Sequence, residues 1–485
     1  MKIDQTPVSV DDIFKNKGRL ENALTSVAKS LPVEKLIEAM GFDKRSGHPL
    51  KNLLYFGLFF MPLSSSRGSI LDFFNRLGGK HGDLKPAFYR FLQNKDIAWR
   101  KVMMAANTIM RKYFRKSFAV KESGLPCVLF ADDTFIKKFG RKIQGVSRVH
   151  DHTDNTHQNG YKMLAIMYFN GFYSHFVDFS LHAEGKKKTF AANFRRLLGC
   201  KTEAGKRAKE LIDEKPVTIL QMLKRLRHFK VDYFLADSWF CSPAFIVELL
   251  SVLPKGCEVL MHAKMDHTKY CYKNSELGLK VLLEKLLREE EYSRCKEFNT
   301  FYFRRQIVRD GRQYTVLFSR LRKNSKWVAF LTTDTNISYI KAMRVYALRW
   351  KIEIGFRELK QNFHITRCQA NHFASQVAHI TQAIMLHSFI SHYLACCNGP
   401  VSMGELFREF EQEVHSNLLR CSHWAEFKEV LIAIAESLGG IENVSVKELF
   451  ESAAFLLVES MIDEIAKWPG RWNSELIYDD QELAA

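Results

Sequence analysis

Apolar side chains recur every three to four residues over the first 122 residues, with Ser, Asp, Pro and Gly between the periodic segments. This spacing predicts a domain of several amphipathic helices. Its main segments are ENALTSVAKSLPVEKLIEAM, HPLKNLLYFGLFF, GSILDFFNRL and AWRKVMMAANTIMRKYFRK. The most apolar run, Leu53–Leu63, is about half as long as a membrane-spanning helix. We therefore expect it to be a buried helix, and we expect no membrane segment.

Beyond that domain the pattern changes to short apolar runs. CVLFADDT and VDYFLADSWF each predict a strand that ends in acidic residues, Asp132 and Asp133 in the first and Asp237 in the second. Two further runs flank Asn170-Gly171, a dipeptide typical of tight hairpin turns. A helical pattern over residues 204–229 precedes the second acidic strand, and SPAFIVELLSVL follows it. This order predicts a mixed α/β sheet with an acid at the end of two of its strands.

Residues 257–337 have a different pattern, with strands in EVLMHAKM, FYFRRQIVRDGRQYTVLFSRL and KWVAFLTTD and a turn at Asp310-Gly311. The helical segment LGLKVLLEKLLREEE interrupts them. The stretch YALRWKIEIGFRELK then predicts a helix, and the chain stays helical from about residue 370 to its end. A β-rich block thus separates the α/β unit from a helical final part.

Four polar residues of YALRWKIEIGFRELK, namely Tyr346, Arg349, Glu353 and Lys360, would lie within roughly 60° of arc on one helix face. A carboxylate can hold a hard divalent metal, and Arg and Lys can hold phosphates. The face therefore indicates phosphodiester chemistry. The alternative is an ordinary amphipathic helix whose charged side is merely solvated.

Charge makes the first interpretation stronger. The chain of 485 residues has 72 Lys and Arg against 53 Asp and Glu, a formal net charge of +19. A large basic chain most often binds a polyanion. Its ten cysteines contain no CxxC pair, which argues against a zinc site or a disulfide framework. With no N-terminal signal peptide evident, these features favour a cytoplasmic protein with reduced thiols.

Two acids at strand ends and one on a helix can meet in space. Asp132, Asp237 and Glu353 would then hold two Mg²⁺ or Mn²⁺ ions about 4 Å apart, as two-metal phosphodiester chemistry requires. Asp133 competes with Asp132, because neighbouring side chains on a strand point to opposite faces. The alternatives for these acids are a strand-end turn and, for Asp237, a helix N-cap.

The combination of FADDT, LADSWF and Y-x2-R-x3-E-x6-K resembles the DDE transposases of bacterial insertion sequences, specifically the insertion-sequence-four type. The resemblance covers about residues 125–375. It implies a ribonuclease H-like mixed-sheet core with a β-rich insertion, flanked by helical N- and C-terminal regions. The expected domains are a helical DNA-binding domain (1–122), the core (123–256 and 338–375), the insertion (257–337) and a C-terminal region for dimerisation (376–485).

The resemblance also assigns roles to single residues. Asp132, Asp237 and Glu353 correspond to the three catalytic acids. Tyr346, Arg349 and Lys360 correspond to residues that grip DNA phosphates. Trp327 resembles an insertion tryptophan that stacks on a flipped base during DNA hairpin formation, although it can equally be a core aromatic. Partners would be double-stranded DNA and a second copy of the chain, and the protein would associate with the nucleoid when bound.

Several other polar residues are candidates for DNA or metal contacts. Lys137 and Lys138, with Arg141 and Lys142, are expected to contact the DNA backbone, and so is the run Lys186–Lys188. The alternative is a solvated turn. The segment HDHTDNTH (residues 150–157) is more typical of a polar loop than of a metal site. Arg304, Arg305, Arg309 and Arg312 either line a DNA groove or discourage edge pairing of strands.

The sequence leaves three functions open. The first is a cut-and-paste transposase that binds terminal inverted repeats, cleaves DNA and transfers strands. The second is a catalytically silent, domesticated DNA-binding regulator, although the three intact acids count against it. The third is a stand-alone nuclease of the same fold.

Overall fold

The computed structural model describes residues 27, 31–44, 46–63, 84–118, 123–140, 142–151, 155–184, 190, 192–396 and 401–409. The predicted helical segment GSILDFFNRL (residues 68–77), the start of ENALTSVAKSLPVEKLIEAM (residues 21–40) and most of the expected dimerisation region (410–485) lie outside the described residues. So do Arg141, residues 152–154 and Lys186–Lys188.

The described part of the N-terminal region contains helices in three of the predicted segments and one helix that was not predicted. In chain order they are α1 (Val33–Met40), α2 (Leu50–Leu63), α3 (Leu84–Gln93) and α4 (Trp99–Phe118), and α3 is the helix that was not predicted. In α4 the buried side chains Val102, Ala106, Ile109 and Met110 recur at helical spacing, and this stripe packs on the rest of the core. The predicted helix at Leu53–Leu63 is confirmed as part of α2, and Leu53, Leu54, Tyr55 and Leu58 are buried. No helix in the described ranges is long and apolar enough to cross a membrane.

One mixed sheet of twelve strands dominates the structure. The strands are β1 (Val128–Lys137), β2 (Ser147–Asp151), β3 (Thr156–Phe169), β4 (Ser174–His182), β5 (Tyr233–Ala236), β6 (Glu258–Ala263), β7 (Lys269–Tyr272), β8 (Ser275–Gly278), β9 (Ser293–Cys295), β10 (Thr300–Arg309), β11 (Arg312–Arg320) and β12 (Val328–Thr332). Their order is β2-β3-β1-β5-β6-β12-β11-β10-β7-β8, with β4 on β3 and β9 on β10. β3 is antiparallel to β1, whereas β5 and β6 run parallel to it.

Helices cover both faces of this sheet. They are α5 (Ala192–Gly199), α6 (Glu203–Glu210), α7 (Lys215–Arg225), α8 (Pro243–Val252), α9 (Leu279–Glu289), α10 (Tyr339–Ala347), α11 (Trp350–Gln361) and α12 (Phe373–Cys396). Val128 and Phe130 of β1 belong to the core that contains α11 and α12, whereas Leu129 and Ala131 belong to the core that contains α7 and α8. We call these two sides of the sheet the α11 face and the α7 face.

The predicted hairpins are confirmed. β3 and β4 pair antiparallel around Asn170-Gly171, where Gly171 has φ +94°. β10 and β11 pair around Asp310-Gly311, and both turn residues have positive φ, as a two-residue turn of type I′ requires.

The prediction that the first strand ends at its two acids is wrong. β1 continues to Lys137, because β3 pairs with it over its whole length, including Asp132 with Ala165 and Lys137 with Gly160. The ladder to β5 does end there, since its last pair is Ala131 with Ala236. Asp132 and Asp237 therefore each come directly after the last residue pair of the parallel ladder.

The β-rich block joins the core without a break. β6 lies within the segment predicted as an insertion (257–337), yet it pairs parallel with β5 and antiparallel with β12. β6, the strand beside β5, is thus the first strand of the β-rich block, and the later strands of that block extend the same sheet.

The single helix predicted from YALRWKIEIGFRELK is wrong, because the structure has two. α10 ends at Ala347 and α11 begins at Trp350. Leu348 and Arg349 between them keep helical dihedral angles but form tighter bonds, with their amides donating to the carbonyls three residues earlier.

Candidate active site

Strand alternation brings two acids to one face of the sheet. Asp132 follows Phe130 by two residues and Asp237 follows Leu235 by two, and both apolar residues face α11. Asp133 is on the α7 face, where its carboxylate pairs with the Lys215 ammonium at the start of α7. The geometry thus separates the two neighbouring carboxylates, with only Asp132 beside Asp237.

Helix α11 brings the third acid to the same place. Ile352, Phe356 and Leu359 are buried on the sheet side of α11. Phe356 stacks on Phe176 of β4 with ring centroids 5.4 Å apart. This packing leaves Glu353, in the first turn, half-buried at the edge above the strands.

Arg349 joins the acids. Its Nη1 donates to Asp132 Oδ2 at 3.0 Å, and its Nη2 donates to Glu353 Oε1. Burial alone would lower the pKa of Arg349, but Tyr346 and the carboxylates of Asp132, Glu353 and Asp237 raise it above its usual value. The guanidinium therefore stays charged and lies between two of the three acids.

Burial affects the ionisation of the Asp132 carboxyl. Burial raises the pKa of its carboxyl to about 7, although the Asp133 amide and the Arg349 guanidinium both oppose that rise. A buried carboxylate is costly unless a cation accompanies it. The position therefore favours a further positive charge.

The Asp237 carboxylate lies close to two different groups of the protein. Its Oδ1 accepts the Ser238 amide at 2.7 Å, which caps the short 3₁₀ turn Ser238–Phe240. The alternative interpretation as a cap is thus correct in part. The same oxygen lies 4.0 Å from His262 Nδ1 on β6. About half of the Asp237 side chain is exposed, so the carboxylate also remains accessible.

Tyr346 completes the cluster from the end of α10. Burial raises its pKa to about 12, while Arg349, 5.8 Å from the ring centroid, acts in the opposite direction. Its ring also contacts Phe330 of β12 edge-on at 4.7 Å. Lys360 lies in the last turn of α11, seven residues and hence about two turns beyond Glu353 on the same side of the helix.

The donor chemistry of the cluster fits a hard divalent cation. Among the residues that the structure describes, no three His, Cys, Asp or Glu side chains are close enough to hold a metal ion together. The guanidinium of Arg349 supplies the positive charge between Asp132 and Glu353 instead. Three carboxylates without sulfur are nevertheless the ligand type that Mg²⁺ and Mn²⁺ prefer.

The two lysines predicted as DNA contacts differ. Lys137 is exposed, with its ammonium 5.3 Å from the Phe139 ring. Lys138 is buried, and its ammonium donates to the carbonyls of Cys368 at 2.7 Å and Thr366 at 3.3 Å. This contradicts its assignment as a DNA contact. It follows Lys137 by one residue on a strand, so its side chain points to the opposite face and ties β1 to the loop after α11.

Trp327 is packed rather than free. Its ring stacks on Phe303 with centroids 5.5 Å apart, and the Arg320 guanidinium lies 4.6 Å from its centroid. It still lines a cavity of about 290 Å³ together with His262, Lys264 and Asp266. The cavity therefore connects the tryptophan with the histidine beside Asp237.

Three of the four insertion arginines are held by the protein itself, whereas Arg312 is exposed. Arg304 donates to the carbonyls of Ile337 and Thr335, and Arg305 pairs with Glu290. Arg309 donates to the Lys269 carbonyl. These contacts favour a structural role over a DNA groove.

In HDHTDNTH, His150 and His157 face each other across β2 and β3 with ring centroids 5.0 Å apart. The ends of the segment are therefore strand residues and not a loop, because His150 and Asp151 end β2 and Thr156 and His157 begin β3. Residues 152–154 lie outside the described residues, so a polar loop stays a prediction only for this connection.

Sequence reasoning missed Lys215 and His262, which each accompany one of the strand-end acids. Nothing local marks them, because they reach the acids only through sheet pairing and the start of α7. Trp239 was also missed, although its position two residues after Asp237 was a usable signal.

Comparison with known families agrees with this geometry. Residues 214–389 match the family described as "Transposase DDE domain", and residues 56–261 match the "DDE superfamily endonuclease". No curated protein matches the chain. The two family matches support a DDE transposase, a class that acts on DNA and generally uses divalent metal ions. The mixed sheet with its helices is consistent with the ribonuclease H-like fold of DDE endonucleases.

Proposed function

We propose that this chain is a cut-and-paste transposase of the insertion-sequence-four type. The observation that supports it best is the convergence of Asp132, Asp237 and Glu353 around Arg349, on the α11 face at the end of the parallel ladder. In this proposal the N-terminal helical domain (1–122) binds the terminal inverted repeats, and the C-terminal region (376–485) joins two copies on DNA.

The three acids would hold two Mg²⁺ or Mn²⁺ ions. When bound, such ions activate water or a 3′-hydroxyl and stabilise the leaving oxygen of a phosphodiester. The carboxylates of Asp132 and Asp237 would be rigid metal ligands because both residues follow buried strand residues. The Glu353 carboxylate would be held in place because the buried face of α11 fixes that helix on the sheet.

Arg349 would change partners during the reaction. Without DNA its guanidinium neutralises Asp132 and Glu353. The two non-bridging oxygens of a DNA phosphate can accept the same bidentate pair of guanidinium hydrogen bonds as a carboxylate. Arg349 would therefore bind the phosphate beside the scissile bond once the acids have other cations, with Tyr346 and Lys360 holding neighbouring phosphates.

The cavity between His262 and Trp327 would admit a nucleotide extruded from the duplex. Its volume of about 290 Å³ is large enough for a nucleobase, and the indole offers a stacking surface. This supports a DNA hairpin step, in which the extruded base relieves the sharp bend of the strand.

The neighbouring carboxylates allow a matched test. DNA that carries the inverted repeats flanking the reading frame is incubated with Mg²⁺ and with wild type, Asp132→Asn, Asp133→Asn or Glu353→Gln. Asp132→Asn and Glu353→Gln should abolish cleavage and retain DNA binding, whereas Asp133→Asn should retain cleavage because its partner is Lys215. Equal cleavage by wild type and Glu353→Gln would refute the site.

The same assay distinguishes the other two functions. Tight binding of wild type without Mg²⁺-dependent cleavage would identify a regulator. Cleavage without joining of the 3′ end to target DNA would identify a nuclease.

A further inference from the structure

A large exposed indole stands next to the acids. Trp239 follows Asp237 by two residues and is 55% exposed. Two residues of chain span at most about 7 Å, so the Cα atoms of Trp239 and Asp237 are no farther apart than about two nucleotides of a DNA strand. Burying a Trp is strongly favourable, so an exposed one beside a catalytic centre points to a ligand.

The backbone under this indole is fixed. The Asp237 carboxylate accepts the Ser238 amide, and the Cys241 amide donates to the Ser238 carbonyl, which closes the turn. The Trp239 ring meets Phe240 edge-on at 4.8 Å, and Phe240 is buried. The exposed ring is therefore held in place before any partner arrives.

A cation accompanies the ring. The Lys215 ammonium lies 5.1 Å from the Trp239 ring centroid and is paired with Asp133 on the α7 face. Trp239 and Lys215 thus lie across the strand ends from Arg349 and Glu353, which are on the α11 face. DNA whose scissile phosphate meets the acids would continue past this edge.

We propose that Trp239, supported by Lys215, is a stacking site for an unpaired nucleobase of the DNA strand next to the scissile phosphate. Every base has a π face, so an indole binds unpaired DNA without reading its sequence. The nearby ammonium favours the adjoining phosphate, in keeping with the strongly basic chain. This site is separate from the Trp327 cavity, and the proposal rests on the proposed function for its placement beside a cleaved strand.

The test measures binding without chemistry. Full-length wild type, Trp239→Leu and Trp239→Phe are titrated, in the presence of a chelator, with a blunt duplex and with a forked duplex of the same core that carries oligothymidine arms. Fluorescence anisotropy of the labelled DNA gives each Kd. Val247→Ala, which trims another exposed apolar side chain on α8, is the control.

Wild type and Val247→Ala should prefer the forked duplex by about 5- to 100-fold, the range expected for one stacked base. Trp239→Leu should lose that preference and bind the blunt duplex as wild type does, and Trp239→Phe should recover part of it. A Trp239→Leu protein that keeps the full preference overturns the proposal, as does a wild type with none.

Cleavage with Mg²⁺ is measured separately. A wild type that prefers forked DNA and never cleaves would refute the proposed function while leaving the stacking site intact. A wild type that cleaves without a Trp239-dependent preference would do the reverse.

Discussion

At Gly355 the backbone of α11 packs tightly against side chains of the sheet. A Cβ at this position would lie 2.3 Å from Met167 Cε and 2.9 Å from two ring carbons of Phe176. Both side chains are buried, and Phe176 is held by its stack on Phe356. Ordinary contact begins at 3.4 Å, so Gly355→Ala requires a shift of about 0.5 Å against Phe176 and about 1 Å against Met167.

Two opposing terms set the stability of Gly355→Ala. Alanine stabilises a helix by about 0.5–1 kcal/mol relative to glycine. Overpacking a filled core costs about 1–3 kcal/mol. We expect net destabilisation of about 0–2 kcal/mol, because the end of Met167 can move and the Phe176 ring cannot move as easily.

The effect on activity should be larger than the effect on stability. Glu353 is two residues from Gly355 on the same helix, so a shift of α11 away from the sheet displaces its carboxylate from Asp132 and Asp237. A displacement near 1 Å in a catalytic centre costs about 100-fold in rate. We therefore expect single-turnover DNA cleavage to fall about 10- to 100-fold, with DNA affinity within about two-fold of wild type.

Gly199→Ala is the matched control. Gly199 ends α5, and a Cβ there meets no atom within 4 Å. That variant should be as stable as wild type or slightly more so, and should cleave normally. If Gly355→Ala instead unfolds no earlier than wild type and cleaves at the same rate, close packing at Gly355 does not position Glu353.

Three further outcomes are expected. Arg349→Gln should bind Mn²⁺ more tightly than wild type in calorimetry without DNA, because Asp132 and Glu353 lose their internal cation; unchanged or weaker binding would contradict this. Lys138→Met should lower the free energy of unfolding by about 1–3 kcal/mol, since two buried carbonyls lose their donor, without changing DNA affinity. Burial lowers the pKa of His175 to about 3, so below pH 6.5 the unfolded chain binds a proton that the folded chain does not, and stability falls with acidification. His175→Phe should reduce that slope between pH 6 and 5 by about 1 kcal/mol per unit in thermal or urea unfolding, and an unchanged slope would exclude His175 as its source.

Much of the site followed from local patterns. The apolar runs before Asp132 and Asp237 identified the strands. Strand alternation predicted that Asp132 and Asp133 point to opposite faces, and in the structure Asp132 contacts Arg349 whereas Asp133 contacts Lys215. Hairpins at Asn170-Gly171 and Asp310-Gly311 were predictable because their turns need residues that adopt positive φ.

Other features depend on tertiary contacts that no local pattern contains. β1 runs past its acids because β3 offers a pairing edge there. The turn at Leu348 and Arg349 replaces helical bonds with tighter ones in a sequence that has no Gly or Pro to signal it. Lys138 was predicted to contact DNA, and only the fold reveals the two carbonyls that accept its hydrogen bonds.

The continuous pairing from β5 through β6 to β12 has a consequence for the nucleic acid. Asp237, which follows β5, and the Trp327 cavity, which is lined by residues of β6 and β12, are attached to adjacent strands of one hydrogen-bonded sheet. No flexible linker separates them. Their spacing is a fixed length, and the protein has little freedom here to adapt to a straight duplex. DNA that reaches the acids and the Trp327 cavity at the same time would therefore have to distort. Ends whose first base pairs melt easily would distort at the lowest free-energy cost.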